Sequence, residues 1–117
     1  MKKRIVIFEH LAVVRVPFPF TDRVAAKHRP ALVLSDTAAF NANAGHYVLA
    51  MITSFATPPW PFDCVIEDIH SAGLRVPSKV RLKIFTLDHR LVLGALGRVS
   101  AGDAGRITHA LRVALKL

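Results

Sequence analysis

VPFPFTDRVAAKHRPALVLS, residues 16–35, sets two extended apolar runs around a loop that carries Arg23, Lys27, His28 and Arg29. The first run continues from the Val-rich residues 11–16 into Pro17-Phe18-Pro19-Phe20. Residues two apart in a strand send their N–H groups to the same side. Pro17 and Pro19 therefore strip two donors from one flank, which predicts an edge strand and not a central one. Phe18 and Phe20 share a face. Residues 21–29 form the loop, Pro30 biases Arg29 to an extended backbone, and the all-apolar residues 31–34 read as a second strand buried on both faces.

Outward from this pair the chain keeps producing short strands. Residues 46–53 (HYVLAMIT) are a third, after a small-residue loop with a helical turn near 38–41. Residues 62–67 are a fourth, behind the breaker Pro58-Pro59-Trp60-Pro61, and 79–85 a fifth, behind Ala72-Gly73 and Pro77. Residues 91–99 are a sixth, with Gly94 and Gly97 as candidate bulges. Then the period changes. Ile107, Ala110, Leu111, Ala114 and Leu115 recur at helical spacing, opposite Arg106, His109, Arg112 and Lys116, which predicts a helix over 101–116. Ser100 and Asp103 have the spacing of a capping box. About six strands followed by one amphipathic helix predict a mainly β fold: a small, partly open β-barrel with a helix packed on it.

Length and composition fit one domain over residues 1–117, with 1–10 as an N-terminal extension. Apolar residues make up 52% of the chain, including seven Phe, so it folds rather than staying disordered. No apolar run approaches the ~20 residues that cross a bilayer. The basic start followed by residues 5–8 is too short for a signal peptide, whose apolar stretch runs to roughly 7–15 residues. With the lone Cys64 unable to pair internally, the expected location is the cytoplasm, away from membranes. Sixteen Lys and Arg against eight Asp and Glu give a net charge of +8, which favours a polyanionic partner.

Several chemistries lack their residues. The histidines at 10, 28, 46, 70, 89 and 109 show no metal-binding spacing, and no metal or cofactor is expected. There is no phosphate-cradling glycine loop, and Ser54, Cys64 and Ser78 sit in no nucleophile motif. What remains lies at strand ends: Arg29 before the second strand, Thr53 and Ser54 closing the third, and Arg81 in the fifth. If those strands are neighbours, two guanidiniums and two hydroxyls converge on one phosphate. The planar fork of arginine pairs with phosphate oxygens bidentately.

These segments, in order, are VPFPFTD (16–22), KHRPALVLS (27–35), LAMITS (49–54), PSKVRLKIFTLD (77–88) and LGRVS (96–100). Together they resemble the MazF/PemK family of toxin endoribonucleases over roughly nine-tenths of the chain. The resemblance implies an SH3-like β-barrel with a C-terminal helix, usually a homodimer, that cleaves single-stranded RNA or mRNA at short sequences without a metal. It also implies a cognate acidic antitoxin that covers the RNA groove and joins the toxin in a DNA-binding complex. By the same resemblance Arg29, Thr53 and Arg81 are catalytic; His28 is added as the natural proton carrier near neutral pH on the chemistry of imidazole, with the general base left unassigned. Arg23, Lys27, Ser54, Ser78, Lys83 and Trp60 are the expected RNA contacts, Trp60 as a base-stacking platform.

The chain departs from the family pattern at Leu11-Ala12, where Gly-Asp is usual, and in the loop TPPWP at 57–61. It also has Lys83 where many relatives carry an acid two residues after the later arginine. That last departure leaves open a second expectation, a catalytically weakened relative that acts as an RNA- or protein-binding module.

Overall fold

The structure, a computed structural model, describes residues 6–18 and 27–117. Six strands form one antiparallel sheet: β1 (Ala12–Phe18), β2 (Lys27–Val33), β3 (His46–Ser54), β4 (Cys64–Ile66), β5 (Ser78–Asp88) and β6 (Gly94–Arg98). Their order is β4-β5-β3-β2-β1-β6. The sheet curls into a half-barrel that stays open, because β4 and β6 at its ends do not pair with each other. The C-terminal helix, Ala101–Leu115, completes the predicted mainly β architecture.

Alternation along the strands sends apolar side chains to both faces, and each face has its own cover. Val13, Leu32, Ala50, Ile52 and Val80 meet Ile107 of the C-terminal helix. Val14, Val16, Ala31, Val33, Leu49 and Leu87 are covered instead by Ile7, Phe8, Leu91 and Val92. The described part of the N-terminal extension is therefore packed against the core. The Phe8 amide donates to the Tyr47 hydroxyl (3.1 Å), which also pairs with His89 Nδ1 (2.6 Å). Burial raises the Tyr47 pKa and the Phe8 hydrogen bond offsets part of that rise.

The strand expected at an edge is not at one: β1 lies between β2 and β6. The proline argument still holds locally. β6 pairs only with residues 12–15, so Pro17 falls where that flank has no neighbour to receive a donor. Pro19, Phe20 and the rest of the loop up to residue 26, Arg23 included, lie outside the described residues. β2 starts earlier than expected, so Lys27, His28 and Arg29 belong to a strand and not to the loop.

The C-terminal helix is capped as predicted at Ser100, whose hydroxyl accepts from the Asp103 amide (3.2 Å). Asp103 does not return the bond. Its carboxylate accepts from the Glu67 and Asp68 amides, each at 3.0 Å, and from Arg106, pinning the helix to the end of β4. Leu115 proves to be exposed, leaving Ile107 as the buried apolar anchor. The bulge against β1 falls at Leu96, between the two glycines singled out, since Val13 faces Gly97 and Val14 faces Ala95. Gly97 serves close approach instead: a Cβ there would sit 2.4 Å from the Ser71 carbonyl oxygen.

Candidate functional site

The site begins with a ladder that stops. β2 and β3 pair at Ala31–Met51, Leu32–Ala50 and Val33–Leu49, and pairing does not continue to Pro30 and Arg29. Pro30 has no N–H to extend it. The two strands part there, with Arg29 on one lip and Thr53 on the other. A cavity of about 390 Å³ opens at the parting, lined by Phe18, Arg29, Met51, Thr53, Arg81, Lys83, Ile84 and Phe85.

β5 supplies the third wall. Arg81 faces Met51 across the β3–β5 ladder, then the register slips so that Ala50 faces Ile84. The residues in the slip, Leu82 and Lys83, are a bulge that carries Lys83 to the cavity. Arg29, Thr53 and Arg81, expected together from strand ends, thus line one cavity. Arg29 stacks over the Phe18 ring (5.1 Å to its centroid). Its Nε is buried and has no hydrogen-bond partner among the described residues. Thr53 Oγ1 shares a hydrogen bond with Thr57 Oγ1 at 3.0 Å.

Arg81 is 8% exposed and held on one edge. Its Nε donates to Asp63 Oδ1 (3.2 Å), and its Nη2 donates to Asp63 Oδ2 (2.9 Å) and to the Pro58 carbonyl (2.6 Å). Lys79, on the same face two residues away, also reaches Asp63 Oδ2 (3.1 Å) and donates to the Thr57 carbonyl (2.7 Å). The Trp60 amide donates to Asp63 Oδ2 as well (3.0 Å). Burial by itself would raise the Asp63 pKa, but the hydrogen bonds from Arg81, Lys79 and the Trp60 amide outweigh it and hold the carboxyl below its ordinary value. The same fork raises the pKa of Arg81, which stays charged. The Trp60 ring lies against both Arg81 (5.7 Å) and Lys83 (5.0 Å) and remains 44% exposed.

The remaining expected residues fall elsewhere. His28 alternates to the opposite face from Arg29 and lines an adjoining cavity of about 460 Å³ with Arg15, Arg75, Ser54 and Ser78. Arg29 and Thr53 line that cavity too, so the two spaces share a wall. Ser54 Oγ accepts from the Ala56 amide (3.3 Å), and the buried Ser78 donates to the Val76 carbonyl (2.8 Å). Lys27 is exposed opposite Phe18 and lines neither cavity. Asp88, further along β5, pairs with Arg90 (2.9 Å).

Asp63 and Lys79 are the site residues that sequence reasoning missed. The signal for Lys79 was present, because SKVRLK puts residues 79 and 81 on one strand face. Asp63 sits 18 positions before Arg81 at the end of a turn, and only the fold carries it there.

Among the described residues no His, Cys, Asp and Glu side chains gather as a metal site, and no helix is long and apolar enough to cross a membrane. Residues 9–115 match the family model of PemK-like, MazF-like toxins of type II toxin–antitoxin systems. Solved structures agree with the fold. A mycobacterial endoribonuclease in complex with its cognate antitoxin is 20% identical, with 97% of each chain covered and a TM-score of 0.74. MazF from Deinococcus radiodurans is 26% identical, covering 96% of this chain and 99% of its own, with a TM-score of 0.71. A MazE–MazF complex from the same organism is 27% identical over the same shares, with a TM-score of 0.70. Among curated proteins, none matches the sequence.

Proposed function

Because the chain belongs to the PemK-like and MazF-like toxins of type II toxin–antitoxin systems, we propose that it is an endoribonuclease that cuts single-stranded RNA, mRNA in the cytoplasm, through the substrate's own 2′-hydroxyl and without a metal ion. The observation that carries this reading is the convergence of Arg29, Thr53 and Arg81 on one cavity where β2 and β3 part. In the proposed reaction the 2′-oxygen bonds to phosphorus and the bond from phosphorus to the 5′-oxygen breaks. One product ends in a 2′,3′-cyclic phosphate and the other in a 5′-hydroxyl.

Charge builds on the non-bridging oxygens as the fifth bond to phosphorus forms, and fixed cations stabilise it without reorganising. Arg29 and Arg81 supply those cations, and Thr53 orients a phosphate oxygen or the 2′-hydroxyl. A guanidinium keeps its proton near neutral pH and offers no base. Proton transfer therefore falls to His28, which reaches the strand from the adjoining cavity. Lys83 and Trp60 meet flanking phosphates and bases, and Ser54 and Ser78 line the onward path. The active form is a homodimer. An acidic antitoxin segment neutralises the toxin by occupying the same cationic cavity.

A second reading, a module that binds RNA without cutting it, draws on the absence of an acid at Lys83 and on the engagement of Arg81 by Asp63. One experiment separates the two: incubate a long single-stranded RNA in EDTA with wild type and with Arg29→Ala, and analyse the product ends. Cyclic phosphate ends from wild type, lost in Arg29→Ala, support the nuclease. Intact RNA that nonetheless binds in a salt-sensitive way supports the module.

A further inference from the structure

Arg81 has five N–H donors. The Asp63 fork takes Nε and one hydrogen of Nη2, and the Pro58 carbonyl takes the other. Among the described residues, only the two hydrogens of Nη1 stay uncommitted. An arginine so held cannot offer a phosphate its usual two-pronged edge; it offers one nitrogen in one fixed place. Resting on the nuclease reading, we infer that Asp63 is a positioning residue for cleavage, which orients Arg81 so that Nη1 meets the phosphoryl oxygen that gains charge.

Three features of the site support this over the alternatives. Asp63 takes four hydrogen bonds or ion pairs, three at Oδ2 from Arg81, Lys79 and the Trp60 amide and one at Oδ1 from Arg81. A carboxylate held ionised by these donors is no proton carrier at neutral pH, so it acts through Arg81 and not on the substrate. Second, the fork ties the 57–63 turn to β5, and the turn carries the Trp60 ring that rests on Arg81 and Lys83. Third, Asp63 offsets two cations at once, so its negative charge works against holding RNA while its geometry aids cutting it.

That opposition separates a positioning role from a structural one. In Asp63→Asn, Lys79 and Arg81 lose their counter-charge while Arg81 loses its orientation. The expected result is kcat at least tenfold lower together with tighter binding of a fully 2′-O-methylated, uncleavable RNA and a steeper salt dependence. Asp63→Glu should recover part of kcat. Wild-type kcat in Asp63→Asn, or a rise, overturns the proposal; a rise would mark Asp63 as a restraint on the enzyme. A wild type that cuts no RNA overturns the nuclease reading and this role with it, whereas equal cleavage rates for the two proteins overturn only the role of Asp63.

Should Asp63→Asn fail to fold, the wild type alone decides by nitrogen-15 NMR. The Arg81 Nε–H signal is expected to stay slow to exchange when the uncleavable RNA is added. Its loss on binding would mean that RNA displaces the fork, and would overturn the proposal.

Discussion

Arg29 presents a buried nitrogen with no partner among the described residues beside a cavity, an arrangement that an anion would complete. Lysine at this position would keep the charge and lose the fork. Arg29→Lys is expected to lower single-turnover cleavage about 10²–10³-fold, the scale of one lost donor at a developing oxyanion, with little change in binding to the methylated RNA. His28 belongs to this scale too. If it moves the proton, His28→Ala lowers the single-turnover rate and changes the shape of the pH–rate profile; an unchanged profile removes it from the chemistry.

Asp63 adds a pH dependence of opposite kind. Its pKa is lower in the folded protein, so its contribution to stability is full above the ordinary carboxylate value and is lost as pH falls through the depressed one. Trp60 is the only tryptophan and sits on the tethered turn. Its fluorescence should therefore change in acid as the turn lets go. Asp63→Asn should show that acid signal already at neutral pH.

Among the elements, β2 shows how one residue shapes a site. Pro30 interrupts the β2–β3 ladder at the point where the cavity opens. Pro30→Val restores a donor and a residue that favours strands, so pairing should extend toward Arg29 and Thr53. The expected outcome is an unchanged or higher melting temperature with weakened cleavage, read by thermal denaturation beside the RNA assay. The C-terminal helix tests the packing of the sheet's other face. Ile107 is 1% exposed there, and Ile107→Ala should cost roughly 2–5 kcal/mol in denaturant unfolding.

For the whole molecule the governing quantity is the net charge of +8. Each RNA phosphate neutralised should add about −0.7 to the slope of log affinity against log salt. An acidic peptide should compete with RNA for the same surface, and the competition should fade at high salt. The class of fold was legible in the chain alone, since alternating apolar runs, proline and glycine breaks and a final helical period are local signals. The basic character was legible there too, and the order of the segments was enough to put Arg29, Thr53 and Arg81 forward as partners, although Arg29 and Arg81 lie within their strands and not at the ends.

The folded chain supplied what depends on neighbours. It placed β1 inside the sheet, because whether a strand is an edge depends on how far β6 extends. It turned Asp103 from a helix cap into a tether for β4. And it brought Asp63 across 18 residues of chain to the guanidinium of Arg81. Local pattern records what each segment prefers. A carboxylate's partner is chosen by burial, which makes an unpaired charge costly and leaves the fold to supply the counter-charge.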